Sequence, residues 1–229
     1  MARAAAKVRD PDASIEDLAA ILVLDPSLVS TVIRLSNSPC FNVRTPSATL
    51  VEAIQRVGLR EIMRLVGCCI AEAVYRRELR HYRIPPEVFW ESGIAAALLA
   101  ETLARTCGLP ADEAYLAGLM REIGMVVIDH ALSAEGDAEQ WDCTVPVRDW
   151  ERSACGHEHP EIGATLLRQW GFPDGVCVAV AGQGDAVATD ADLTAVLRLT
   201  NLVLETSGCD FSLPLRPDAA VGSALAGLG

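Results

Sequence analysis

Apolar positions along this chain recur at the three-to-four-residue spacing of amphipathic helices, with no alternation of useful length for a strand. Ile15, Leu18, Ala19 and Leu22 share one helical face, behind a Ser14/Asp17 pair that resembles a capping box. Asp25-Pro26 opens a second helix with a cap acceptor and a first-turn proline, and Leu28, Val29, Val32, Ile33 and Leu35 continue its stripe. Asn37-Ser38-Pro39 ends that helix, and a loop runs to about Pro46. Ser47 or Thr49 can cap a short helix through Val57, Gly58 stops it, and a long helix follows to about Leu79.

The segment from Tyr82 to Pro86 reads as a junction, because Pro85-Pro86 forbids helix continuation. Beyond it the pattern predicts helices over Glu87–Cys107, over Ala111–His130, near 147–154, 160–170 and 173–181, and over 190–207, with an acidic loop at 133–147. Gly108 and Gly208 stand as helix stops. The expected fold is all-α: an N-terminal helical lobe over 1–82, packed on a second helical lobe over 83–211. A Pro-, Ala- and Gly-rich tail follows over 212–229.

Composition agrees with helices and narrows the function. Aromatics are only 5% of the 229 residues, and a core of small aliphatic side chains suits close-packed helices better than a sandwich. No apolar run approaches the length of a membrane span, and the first residues do not resemble a secretory signal, so a cytoplasmic protein is expected. The eight cysteines include no C-x-x-C pair and are expected to be free, buried thiols. Net charge is −12, unevenly spread: residues 1–80 carry 11 Lys/Arg against 9 Asp/Glu, and residues 81–229 carry 8 against 22. The acidic part should repel a phosphate backbone, which leaves only the N-terminal third as a conceivable nucleic-acid surface.

Five segments then fall in a telling order. Asp25-Pro26-Ser27-Leu28 leads to Arg34-Leu35-Ser36-Asn37-Ser38. Ala53-Ile54-Gln55-Arg56-Val57-Gly58 follows, then Phe89-Trp90-Glu91-Ser92, then Leu116-Ala117-Gly118-Leu119-Met120-Arg121-Glu122-Ile123-Gly124. Last comes Glu158-His159-Pro160-Glu161-Ile162-Gly163-Ala164 with Trp170 and Pro173. Over residues 8–208 this series resembles the HDOD family, metal-free relatives of the HD phosphohydrolases. The resemblance implies a longer first helix than these residues supply.

HD phosphohydrolases hold a divalent metal that acidifies a bound water and polarises phosphate, using histidines and aspartates from several helices. By the resemblance, the first of those histidines falls near Glu91 or Ser92, and the central His-Asp pair falls on Arg121-Glu122. The histidine step after Trp-x-x-Pro falls on Gly182-Gln183, and the last aspartate on Asn201. Only His159 matches a family histidine. A guanidinium offers no lone pair and stays charged, so Arg121 cannot ligate a metal. The expectation is an Arg121–carboxylate cluster, with Glu91 and Glu122 as partners, in place of the metal. No cofactor, metal ligand or catalytic residue is assigned.

Other chemistry-bearing residues read as structural. In Cys155-Gly156-His157-Glu158-His159 the two histidines cannot share one helical face, so the segment is a loop leading into a helix. His81 and His130 read as capping or surface residues, and Cys68-Cys69 as buried. Arg56, Arg60 and Arg64 recur at i, i+4 and i+8. They read as a solvated stripe paired with Glu52 and Glu61, or else as a docking surface, and Arg76, Arg77 and Arg80 form a second cluster.

The function expected from the resemblance is a non-catalytic module of bacterial signal transduction. It would bind a protein partner or small ligand through a degenerate cleft bearing Glu91, Arg121, Glu122, His159, Gln183 and Asn201. Binding would shift the two lobes relative to one another. A homodimer is compatible with this reading, and neither membrane nor nucleic acid is an expected partner. Two alternatives are a divergent metal-dependent phosphohydrolase or cyclic dinucleotide phosphodiesterase, and a nucleic-acid-binding regulator acting through the arginine stripe.

Overall fold

The computed structural model describes residues 26–37, 46–136, 139–184 and 192–207. The expected first helix at 14–24, most of the loop after Asn37, and the tail lie outside the described residues. Among the described residues the fold is all-α, with ten helices and a single isolated antiparallel bridge between Leu79 and Ile84. No helix among them is long and apolar enough to cross a membrane. The chain divides into two compact units. Of the described residues, one unit comprises those up to Ile70 with Gln169–Phe172, and the other those from Ala71 to Arg168 and from Pro173 on.

The first unit contains α1 (Pro26–Ser36), α2 (Leu50–Val57) and most of α3 (Leu59–Tyr75). Of the two cap candidates Thr49 takes the role, in a reciprocal capping box with Glu52. Gly58 follows α2 with φ 89°, a backbone conformation that favours glycine. Asn37, just after α1, is bonded to Ser47, just before α2. Its Oδ1 accepts from the Ser47 N–H at 2.6 Å and its Nδ2 donates to the Ser47 carbonyl at 3.2 Å, as a neighbouring strand would. The Arg56 guanidinium donates to the same Oδ1 at 3.2 Å and to the Ser36 carbonyl at 3.4 Å. Asn37, near the end of the first motif, thus holds Ser47 and is itself held by a residue of the second motif.

The division between units falls inside α3, between Ile70 and Ala71, twelve residues before the expected lobe boundary after residue 82. The reason is packing: from Ala71 on, the chain belongs to the second unit. Tyr75 donates its hydroxyl to the Leu119 carbonyl at 2.7 Å. α3 stops at Tyr75 rather than Leu79, because Leu79 and Ile84 are buried as a bridge around a tight turn in which Arg83 has φ 56°. His81, expected at a surface or cap, is buried in that turn. The Asp129 carboxylate accepts its backbone N–H at 2.8 Å and lies 3.2 Å from its Nδ1.

The second unit is built around α5 (Ala111–Met120), in which every residue from Ala114 to Met120 is buried. It packs against α4 (Pro86–Thr106), α9 (Asp174–Gly182) and α10 (Leu193–Ser207). Helices α6 (Ile123–Glu135), α7 (Val147–Cys155) and α8 (His159–Gln169) complete the unit. Small side chains set the approach of α4 and α5. A Cβ on Gly118 would lie 2.5 Å from the Ala96 carbonyl oxygen, and Ala96, Ala97 and Ala100 are fully buried.

The single helix expected over 111–130 is two helices. The chain turns at Arg121–Glu122, and the backbone groups freed there find other partners. The Leu119 carbonyl takes the Tyr75 hydroxyl, the Arg121 carbonyl takes the Gln183 amide at 2.7 Å, and the Met125 N–H shifts to the Glu122 carbonyl. Apolar spacing cannot reveal this break, since the stripe continues through it. Among the described cysteines only Cys177 is buried, so the expectation of buried thiols fails for the exposed Cys107 and Cys143. None of the five described cysteines is in a disulfide.

Candidate functional site

The turn between α5 and α6 places Arg121 and Glu122 inside the second unit, where Arg121 is 1% exposed. The Arg121 guanidinium donates Nη1 to Glu122 Oε1 at 2.6 Å and to Asn201 Oδ1 at 3.3 Å, and Nη2 to Ser92 Oγ at 2.5 Å. Asn201 in turn donates to Gln183 Oε1 at 3.1 Å, and Gln183 holds the Arg121 carbonyl. On the other side, His159 Nε2 pairs with Glu122 Oε2 at 2.8 Å and His159 Nδ1 with the Glu151 carboxylate at 2.9 Å. Tyr82 closes the chain by donating its hydroxyl to Glu151 Oε1 at 2.7 Å. The result is a buried row of alternating charge, Arg121–Glu122–His159–Glu151, with neutral groups at both ends.

Glycines let the helices carrying this row come together. A Cβ on Gly124 would lie 2.0 Å from the His159 carbonyl oxygen and 2.8 Å from the Gly163 nitrogen, so α6 and α8 touch backbone to backbone. The His159 backbone N–H is also held, donating to Glu151 Oε2 at 2.9 Å.

Electrostatics lock the protonation states. Burial pushes the Glu122 carboxyl up, but the charges of His159 and Arg121 outweigh it and bring it down to about 2. Burial pushes His159 down, but Glu122 and Glu151 outweigh it and raise the imidazolium to about 10. An unfolded glutamate titrates near ~4.3 and an unfolded histidine near ~6.5. The contribution of Glu122 is therefore present above ~pH 4.3 and fades as pH falls toward 2. That of His159 is complete below ~pH 6.5 and fades as pH rises toward 10. The urea midpoint of the protein is expected to be highest between these limits and to decline on the alkaline side. A His159→Gln variant should lose that alkaline decline, and a wild-type midpoint that stays flat from pH 6.5 to 9 would contradict the assignment.

Of the residues singled out in the sequence, Arg121, Glu122, His159, Gln183 and Asn201 come together. Glu91 does not. It is exposed on α4, and its neighbour Ser92, which is buried, takes the place beside Arg121. A step of one residue on a helix turns the side chain by about 100°, which is why the two alignments differ so sharply in outcome. Glu151 and Tyr82 were not anticipated. The signal for Glu151 is its place in the stripe Val147, Trp150, Glu151, Ala154, where a carboxylate sits among positions of apolar spacing.

The described residues of the arginine stripe are partly engaged with their own neighbours. Arg56 is half-buried on the end of α1, and Arg64 lies 3.9 Å from Glu61. The side chain of Arg60 lies outside the described residues. His157, two residues before His159, is exposed beside Glu161.

A divalent metal does not fit these residues. The Arg121 cation occupies the centre, both nitrogens of His159 are paired with carboxylates, and Ser92, Gln183 and Asn201 are bound into the hydrogen-bonded frame. A ligand set would require breaking these pairs and placing a second cation against the guanidinium.

Comparison with known proteins places the fold. A family model described as HDOD domain matches residues 1–186. A Treponema pallidum protein described only as uncharacterized is 27% identical over 177 residues, 74% of this chain. The chain spans 33% of that relative's length. Among solved structures, an HDOD domain protein of unknown function from Geobacter sulfurreducens aligns over 99% of this chain and 81% of its own, at 21% identity and a TM-score of 0.69. A Marinobacter aquaeolei protein named for a proposed role in signal transduction aligns over the whole chain and 52% of its own, also at 21% identity and 0.69. A Shewanella amazonensis protein named as a proposed metal-dependent phosphohydrolase aligns over 98% of this chain and 87% of its own, at 20% identity and 0.59.

Proposed function

The chain belongs to the HDOD domain family, and from that premise we propose that it is a non-catalytic regulatory module of signal transduction. In this reading the former phosphohydrolase centre has become a structural ionic core and a small-ligand or partner cleft. The observation that carries the reading is Arg121. It stands where the metal-binding histidine of an HD centre falls in the sequence, buried and bonded to Ser92, Glu122 and Asn201. A fixed cation with no lone pair at that point removes both the ligand and the space that hydrolysis through a metal-bound water requires. The name carried by the Marinobacter neighbour favours signalling, and that of one Shewanella neighbour favours hydrolysis. The donor set of this chain supports the first.

The test is turnover of bis(p-nitrophenyl) phosphate and of a cyclic dinucleotide in the presence of Mn²⁺, Fe²⁺ or Zn²⁺. No turnover above the metal alone is expected, and none should appear on Arg121→His. Metal-dependent turnover that is abolished by His159→Gln would overturn the proposal.

A further inference from the structure

Helix α4 commits one face to α5 and α10 and leaves the other open. Glu91, Leu98, Thr102 and Arg105 on the open face are exposed, and Ala95 and its neighbour Ile94 are half-buried. The positions 91, 95, 98, 102 and 105 step by four and three residues in turn, the repeat of a helix seam that meets another helix along its length. Leu98, at the middle of the seam, is 51% exposed. A single exposed leucine is ordinary. What distinguishes this one is the arrangement of charge around it: Glu91 stands seven residues before it and Arg105 seven residues after it. Arg105 donates Nη2 to Glu101 Oε1 at 2.5 Å, while its side chain as a whole stays 63% exposed. A guanidinium has five N–H donors, so this bond leaves Arg105 able to take a second carboxylate.

We propose that the open face of α4 docks on the same face of a second copy of this chain, antiparallel, with the two-fold axis at Leu98. In an antiparallel pair, residues equally far from the crossing point on opposite sides face one another. Leu98 then meets the partner's Leu98, Glu91 meets the partner's Arg105, and Arg105 meets the partner's Glu91. Seven residues set each ion pair about 10 Å along the helix from the crossing point. At the crossing of about 20° typical of such seams the axes have parted little by then, and both long side chains reach. A parallel pair would set glutamate against glutamate and arginine against arginine, so the charges select the antiparallel direction. A surface that complements itself about its own midpoint is what a two-fold interface requires, and an unrelated partner needs no such symmetry. The contact rests on one helix of 21 residues. It belongs with weak, exchanging dimers that bury less than about 1,200 Å², with the ion pairs fixing register. The inference is independent of what the cleft of the second unit binds.

Sedimentation equilibrium of the full chain, from micromolar to near-millimolar protein, tests this. The average mass of the wild type is expected to rise with concentration toward that of two chains. Leu98→Glu sets two carboxylates together at the axis and should weaken association about tenfold or more. Val178→Glu, at a position 54% exposed on α9, should associate as the wild type does. Glu91→Arg should weaken association, and combining it with Arg105→Glu should recover it, which a role confined to one chain would not produce. All four positions are exposed, so each variant should keep its helical circular dichroism. A wild type that stays monomeric, a Leu98→Glu variant that associates normally, or equal weakening by Val178→Glu would overturn the interface. A double variant that associates no better than Glu91→Arg would overturn it as well. Each of these failures leaves the non-catalytic reading standing.

Discussion

Replacing Arg121 by methionine is expected to lower the unfolding free energy by about 3–5 kcal/mol, the usual cost of removing one partner from a buried ion pair. The substitution keeps an unbranched stem, shorter by the guanidinium, and deletes the hydrogen bonds to Glu122, Ser92 and Asn201. The larger part of the loss comes from Glu122. Its carboxylate stays buried with His159 as its remaining bonded cation, and the row Glu122–His159–Glu151 then carries one net negative charge in a buried site. The Glu122 pKa should rise as a result, so the variant should lose less stability on acidification than the wild type does. Pairing Arg121→Met with Glu122→Gln should recover part of the loss, because it removes the stranded charge while keeping a partner for His159. Urea unfolding at pH 6 measures all three proteins. A loss under 1 kcal/mol in Arg121→Met, the value typical of an exposed pair, would mean that the guanidinium is not at the centre of the packing.

The second large effect is expected from Gly124→Val. Any Cβ at this position meets the His159 carbonyl at 2.0 Å, and carbonyl and amide atoms of α8 are backbone, so no rotamer change relieves the clash. Helices α6 and α8 must separate. Overpacking in a close-packed core costs about 1–3 kcal/mol and more where backbone must move, so about 3 kcal/mol or above is expected here. The separation also draws His159 away from Glu122. The alkaline decline of stability should therefore shrink along with the midpoint. Gly136→Val gives the contrast in space, since nothing lies within 4 Å of a Cβ there, although its φ of 99° strains any side chain. A loss under about 1 kcal/mol in Gly124→Val, with the alkaline decline unchanged from the wild type, would show that α6 and α8 do not meet at this glycine.

Much of this was legible in the sequence, for reasons that differ from element to element. Helices whose apolar stripe ends at a glycine or proline were placed well, as with α2 before Gly58 and α9 behind Pro173. The break between α5 and α6 was hidden because α5 is buried all round and presents no polar face whose interruption could mark the turn. Leu79 read as one more helical position because a bridge of one residue pair leaves no alternation to detect. In the site, Arg121 stood out because its chemistry is incompatible with the role its place implies. Glu91 was misplaced because helical phase is sensitive to a shift of one residue. Glu151 and Tyr82 act only through partners 8 and 69 residues away in the chain, and such pairings are a property of the fold rather than of local spacing.

The central claim is that His159 is a doubly protonated structural cation and not a metal ligand. Nitrogen-15 NMR of the histidine side chains at pH 8, with and without one equivalent of Zn²⁺, tests it most directly. The account predicts that His159 shows two protonated ring nitrogens at a pH where an ordinary histidine is neutral, and that zinc leaves both signals unchanged. A neutral His159 ring with one nitrogen shifted on addition of zinc would contradict it.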